Sequence, residues 1–282
     1  MRVDYDVKGF KRSTGGTGFG LHAEMNNVGA IPPDRTAFSA QVSFHREADT
    51  GRFFNRLRNP FLVPKEASLA RLVAGGAPAS GSRILEVGCG EGSNLWFLSQ
   101  EHTADLLVGV DLSPAKVGFL KEMQPRVISI AADVLHLPFT NEHFDVVMCR
   151  DLLHHVNWNR PGVVVECIRV LKPGGQLVVF EGCGQTLLNR TFQMLVPAER
   201  GMRDSTRASV EGLLAKFGPT EVVAVEASSA IRAVGYFVGW PQGPARILAL
   251  GIYRMATAWE RLVAAITPRR RWVYQMYRLS RP

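Results

Sequence analysis

No apolar run opens this chain. Met1 to Gly20 alternates charged residues, glycines and polar residues, so nothing there reads as a secretory leader. Cysteine is scarce, with four in 282 residues. Cys89, Cys149, Cys167 and Cys183 show no paired spacing of the kind that holds a metal, and the simplest expectation is a reduced, cytoplasmic setting. No internal repeat is evident. The hydrophobic fraction of 46% and charged fraction of 21% belong to an ordinary globular protein, long enough for one large domain or one domain with additions.

Lysine is missing altogether from Ser228 onward, and acid nearly so. That segment holds nine arginines and a single carboxylate, Glu260, so it carries the whole net charge of +8 and leaves the rest of the chain neutral. A basic terminal segment suits an anionic surface and says nothing about the remainder of the chain.

What is present begins with Ile84-Leu-Glu-Val-Gly-Cys-Gly-Glu-Gly92. Ile84, Leu85 and Val87 read as a buried strand. Gly88, Gly90 and Gly92 then supply a turn with dihedrals and ligand approach that a Cβ would block. Ser93 to Gln100 continues as a helix whose first N–H groups face the same turn. A second apolar strand, Val108-Gly-Val-Asp111, ends in a carboxylate 19 residues after Gly92. A doubly wound sheet places its ribose-binding acid at about this point. Ile128 to Asp133, Phe144 to Cys149 and Val170 to Glu181 read as further strands. Strands alternating with helices imply a parallel sheet with right-handed crossovers.

The order E-V-G-C-G-E-G, V-D-L-S-P, A-D-x-x-x-L-P-F, F-D-V-V, L-H-H-V and R-V-L-K-P-G-G spans about residues 83–181. It resembles the class I S-adenosylmethionine-dependent methyltransferases, nearest the small-molecule (type 11) group that includes the quinone-biosynthesis enzymes. The resemblance implies an α/β, doubly wound, Rossmann-like fold: a mainly parallel seven-stranded sheet with an antiparallel last strand. It implies S-adenosyl-L-methionine as cofactor, S-adenosyl-L-homocysteine as product, and no metal. By resemblance, Glu86 contacts the cofactor's amino-acid end, and Gly88, Cys89 and Gly90 bare the main chain to it. Asp111, followed by Leu112, accepts the ribose hydroxyls. Asp133 accepts from the adenine amino group beside the Val134 N–H. Arg150 opens the reaction side of the pocket, with an ion pair to Asp151 as its structural alternative.

The catalytic candidates are His155, His154 and Glu181. A histidine near its ordinary pKa can take a proton from a hydroxyl, which serves O-methylation. The alternative packs one histidine at the sheet–helix junction and sets the other on the pocket rim. No Asn/Asp-Pro-Pro-Tyr/Phe motif follows the fourth strand, which argues against methylation of a base amino group. Cys149 reads as a small buried residue.

Five segments are expected: a flexible arm over 1–35, an aromatic helical cap over 36–82, the cofactor-binding core over 83–227, a basic helical insertion over 228–271, and a last strand over 272–282. Within the insertion, Ala245 to Ile266 has helical periodicity, with Arg246, Arg254 and Arg261 near one face and broad apolar faces beside them. Central arginines exclude a membrane span. Two compatible readings remain: a substrate cap, or a helix docked on an anionic membrane surface, peripheral at its inner face. Nucleic acid is disfavoured, because the basic run is short and its aliphatics are poor stacking platforms. The functional expectation is methyl transfer to a small-molecule or lipid-like acceptor, at oxygen. The alternatives are an RNA or protein methyltransferase, and a membrane-surface cofactor-binding protein without turnover.

Overall fold

A computed structural model describes residues 46–78, 81–104 and 106–282. The expected arm over 1–35, and Phe38, Phe44 and His45 of the aromatic segment, lie outside the described residues.

Side chains on β1 (Arg83–Val87) alternate between two apolar layers, as a strand's period of two requires. Leu85 and Val87 join Val108, Val110, Val147 and Val179 on one face. Ile84 joins Val146, Met148, Val178 and Phe180 on the other. A sheet buried on both faces in this way takes helices on both sides. The remaining strands are β2 (Leu106–Asp111), β3 (Ile128–Ala131), β4 (Phe144–Arg150), β5 (Leu171–Gly182), β6 (Thr220–Glu226) and β7 (Tyr274–Ser280). Their order is β3-β2-β1-β4-β5-β7-β6. The first five run parallel, and β7 lies antiparallel between β5 and β6. The fold is the expected one. Strand order reverses between β1 and β4, which opens a crevice beyond their carboxyl ends.

The helices are α1 (Thr50–Arg58), α2 (Val63–Ala74), α3 (Ser93–Glu101), α4 (Pro114–Met123), α5 (Arg160–Val170), α6 (Leu187–Leu195), α7 (Arg207–Leu214), α8 (Ala230–Phe237) and α9 (Ala245–Ile266). Local chemistry sets several starts. Ser113 caps α4 with Pro114 in its first turn, and Thr206 and Ser209 cap α7 reciprocally. The last strand starts two residues later than the sequence suggests. Arg269–Arg271 form a 3₁₀ turn, and the Trp272 indole N–H is spent on the Thr267 carbonyl at 3.1 Å.

Helices α8 and α9 intervene between β6 and β7. A narrow stripe of α9 (Ala249, Tyr253, Ala256) is buried, and Tyr253 and Ala256 cluster with Leu62 and Ile231. Tyr253 is fully buried; its hydroxyl donates to the Gly239 carbonyl at 2.9 Å and accepts from Asn59 Nδ2 at 2.6 Å. Its ring stacks on Phe61 at 4.8 Å. These contacts tie the insertion to the corner between α1 and α2. No helix among the described residues is long and apolar enough to cross a membrane.

Candidate functional site

The turn after β1 bends over the end of β2: the Gly88 and Cys89 N–H groups both donate to the Val110 carbonyl, at 2.8 and 2.9 Å. Gly90 has a φ of 54°, and a Cβ built there meets nothing within 4 Å, whereas one on Gly88 lands 2.8 Å from Leu152. Gly90 is therefore where bare main chain borders open space. Its N–H donates to Asp111 Oδ2 at 2.8 Å, and the Ser113 N–H donates to Oδ1 at 2.9 Å. Each carboxylate oxygen keeps a lone pair for a further donor. Asp133 is arranged similarly, with Oδ1 accepting the Leu135 N–H at 2.9 Å. Gly88, Cys89, Gly90, Asp111, Leu112, Asp133 and Val134 all line one cavity of about 470 Å³, a volume suited to a small molecule.

Glu86 is fully buried and lies behind that wall, which Asn94 helps to form. Asn94 Nδ2 donates to Glu86 Oε1, while Oε2 is buried with no partner. Burial pushes the Glu86 carboxyl up to about 8, against the opposing pull of Asn94, Arg150 and Arg56.

Arg150 is buried and lines the cavity. Its guanidinium grips Glu66, donates to Asn94 Oδ1 at 2.6 Å and to the Tyr274 hydroxyl at 3.0 Å, and approaches Asp151 only to 3.6 Å. Glu66 also meets Arg56 at 3.1 Å and Arg232 at 2.8 Å. Burial alone would raise the Glu66 carboxyl, but the three guanidiniums outweigh it and hold it well below the usual range. Arg232 continues to Glu226, and Lys65 joins Glu226 at 3.4 Å to Glu260 at 2.8 Å. Asp151 follows with a φ of 52°, a strained backbone at the cavity edge.

At the other end of the cavity, His154 is buried between two carboxylates. Nδ1 bonds Glu181 Oε1, and Nε2 bonds Glu199 Oε2 at 3.1 Å. Burial opposes its charge, but the two acids raise its pKa to about 10, which favours the imidazolium form that donates at both nitrogens. The same contact drives the Glu199 carboxyl down. His155 lines the cavity with its ring 4.1 Å from that of His154. His154, His155 and Glu199 together have the make-up of a metal site. With both His154 nitrogens committed to carboxylates, the group offers a cation no lone pair from that ring. Leu188, Phe192, Tyr236 and Trp158 supply apolar lining to the same cavity.

Of the site residues expected from sequence, the structure gathers Gly88, Cys89, Gly90, Asp111, Leu112, Asp133, Val134, Arg150, His154 and His155 along the cavity, with Glu86 and Glu181 behind it. Sequence reasoning missed Asn94, Glu66, Arg232, Glu199 and Tyr274. Glu66 alone left a local trace, as an acid among the apolar positions of the α2 pattern.

The methyltransferase domain family matches residues 85–179. A demethylmenaquinone methyltransferase from Roseiflexus castenholzii is 31% identical over 169 residues, covering 55% of this chain and 70% of the relative. The phthiotriol/phenolphthiotriol dimycocerosates methyltransferase of Mycobacterium leprae is 34% identical over 129 residues, covering 42% of this chain. This chain spans 47% of that relative's length, and 38% of two others. Among solved structures, the geranyl diphosphate C-methyltransferase of Streptomyces coelicolor, in complex with Mg²⁺, geranyl diphosphate and S-adenosylhomocysteine, has a TM-score of 0.51 at 16% identity. It covers 78% of this chain and 79% of its own, and shows the shared fold.

The residues present fit S-adenosylmethionine on observations of this structure: the bare edge at Gly90, the spare lone pairs of Asp111 and Asp133, and the orphaned Glu86 oxygen beside Asn94. With the fold, the motif order and these relatives in agreement, the chain belongs to the class I S-adenosylmethionine-dependent methyltransferase superfamily.

Proposed function

We propose that this chain transfers a methyl group to a hydroxyl oxygen of a small-molecule or lipid-like acceptor. One observation carries the reading. A single cavity joins the Gly90–Asp111–Asp133 edge to His155 and the apolar wall of Leu188, Phe192 and Tyr236. S-adenosylmethionine, when bound, supplies an activated methyl group. Asp111 and Asp133 fix its nucleoside end by accepting hydrogen bonds, and Asn94 and Arg150 face its charged amino-acid end, with Glu86 acting through Asn94 from behind the wall.

On the acceptor side, His155 takes the hydroxyl proton. His154 is a positioning residue: Glu181 and Glu199 lock its ring, and its ring sets that of His155. Apolar walls exclude water and hold the acceptor in line, which supplies much of the rate in a displacement. Relatives named for demethylmenaquinone, demethylrifamycin and phthiotriol dimycocerosates support acceptors of this class.

The test is a methyl-labelled cofactor supplied with fractionated small molecules, lipids, RNA and protein. Label in an organic-extractable ether product is expected. Label in RNA or protein, or no incorporation into any fraction, overturns the proposal.

A further inference from the structure

We infer that the outer face of α9, with the exposed edges of α6 and α8, is a docking surface for an anionic lipid bilayer. The inference deepens the proposed function by naming how a lipid-like acceptor is reached, and its test needs no turnover.

The first observation is where the exposed apolar side chains lie. Among the described residues, every exposed large hydrophobic except Leu112 falls between Leu187 and Ile266. On α9, Leu248 (70% exposed), Met255 (67%), Trp259, Leu262 and Ile266 (72%) are separated by seven, four, three and four positions, so they share one side of the helix. That side points away from the buried stripe of Ala249, Tyr253 and Ala256. A contiguous apolar patch of this kind on a soluble fold marks an interaction surface.

The second observation is charge. Arg254 and Arg261 are exposed on α9 about 120° round the helix from the apolar row, and Arg269, Arg270 and Arg271 follow just beyond the helix end. The single acid of this segment, Glu260, faces the other way. It is bound to Lys65 at 2.8 Å and accepts the Ile231 N–H at 3.1 Å. The exposed side of α9 therefore carries an apolar row and, at its other edge, cations, with no carboxylate, which matches an acyl region bordered by an anionic headgroup layer.

The third observation is continuity with the cavity. Leu188 and Phe192 of α6 and Tyr236 of α8 line its apolar end, while Leu187, Met194 and Leu195 of α6 and Phe237 of α8 are exposed outside. Phe192 meets Tyr236 at 5.1 Å and Phe237 at 5.9 Å, so wall and outer surface belong to the same elements. A bilayer seated here delivers a lipid tail directly to the acceptor end.

The experiment is co-sedimentation of the full chain with phosphatidylcholine vesicles, with and without phosphatidylserine, for wild type, Arg254→Glu/Arg261→Glu and Leu248→Ser/Leu262→Ser. These positions are exposed, and circular dichroism checks that each variant is folded. Wild type is expected on the anionic vesicles and not on the neutral ones, with binding lost in high salt. At roughly fivefold for each arginine near the surface, charge reversal at two positions lowers affinity by on the order of 100-fold or more. The serine pair weakens binding without abolishing its salt dependence.

Absence of vesicle binding overturns the inference, as does equal binding to neutral vesicles. So does a lipid-free dimer that the serine pair dissociates, which assigns the face to a second copy. Methyl transfer to a soluble acceptor is retained by both surface variants, so loss of docking and loss of the proposed activity are read separately.

Discussion

Arg150, at the end of β4, and Glu66, in the first turn of α2, form a buried ion pair across 84 positions of sequence in the cavity wall. Arg56 and Arg232 share the same carboxylate, so one acid holds three guanidiniums together. Breaking such a pair strands charge in a dry interior, at a cost of about 3–5 kcal/mol. Glu66→Ala is expected to lose stability of that order in urea unfolding at neutral pH, more than Arg150→Met, which leaves Glu66 two partners. The Glu66 carboxyl is depressed in the folded state, so its stabilisation is full above the ordinary carboxylate pKa and is lost as pH falls toward its folded value. Glu66→Ala should therefore flatten the acid limb of the stability profile.

Glu86 runs in the opposite direction. Burial raises its folded pKa to about 8, so the cofactor-free chain loses stability as pH rises from the ordinary carboxylate range toward 8. Glu86→Gln is expected to stabilise the cofactor-free chain above about pH 8 while weakening cofactor binding. Binding the ammonium of the cofactor's amino-acid end near this group should release a proton at neutral pH. Calorimetry in buffers of different ionisation enthalpy should detect that release in wild type and not in Glu86→Gln.

His154 is held as a cation between Glu181 and Glu199, with a pKa near 10. Its stabilising effect is full below the ordinary histidine value and declines as pH rises through about 10. Histidine NMR should find this ring charged across the neutral range. His154→Gln should lower kcat with little change in KM, the split expected of a positioning residue. His155→Ala should abolish turnover and leave cofactor binding intact.

Tyr253 anchors the insertion through one hydroxyl shared by Asn59 and Gly239. Tyr253→Phe leaves buried polar groups unpaired, at a cost of about 1–3 kcal/mol. Hydrogen exchange should quicken in α8 and α9 and remain slow in β1 and β4.

Much of this architecture was legible in the chain. The core strands are apolar runs ended by glycines or carboxylates, and those signals lie within a few residues of each other. The bounds of α9 follow from an uninterrupted helical period between Pro244 and Thr267. The bounds of α1 within the expected helical cap were not legible, because its arginines mask the single buried anchor, Phe53, and its cap is a lone Asp49. Glu199 reaches His154 from 45 positions away, and Arg232 reaches Glu66 from 166, so no local pattern announces either contact. Charge networks are assembled by topology, and short spacing cannot reveal them. The Gly90–Asp111 edge was readable as one local unit because turn, acid and strand end are adjacent in sequence as well as in space.

The central claim is that the bare Gly90 edge and the Asp111 carboxylate form the cofactor's ribose seat. Calorimetric titration of Asp111→Ala with S-adenosylhomocysteine, beside circular dichroism to check folding, tests it most directly. Losing hydrogen bonds to a charged acceptor, each about 1.5–3 kcal/mol, predicts affinity at least about 100-fold weaker in a folded protein. A folded Asp111→Ala that binds with wild-type affinity contradicts it.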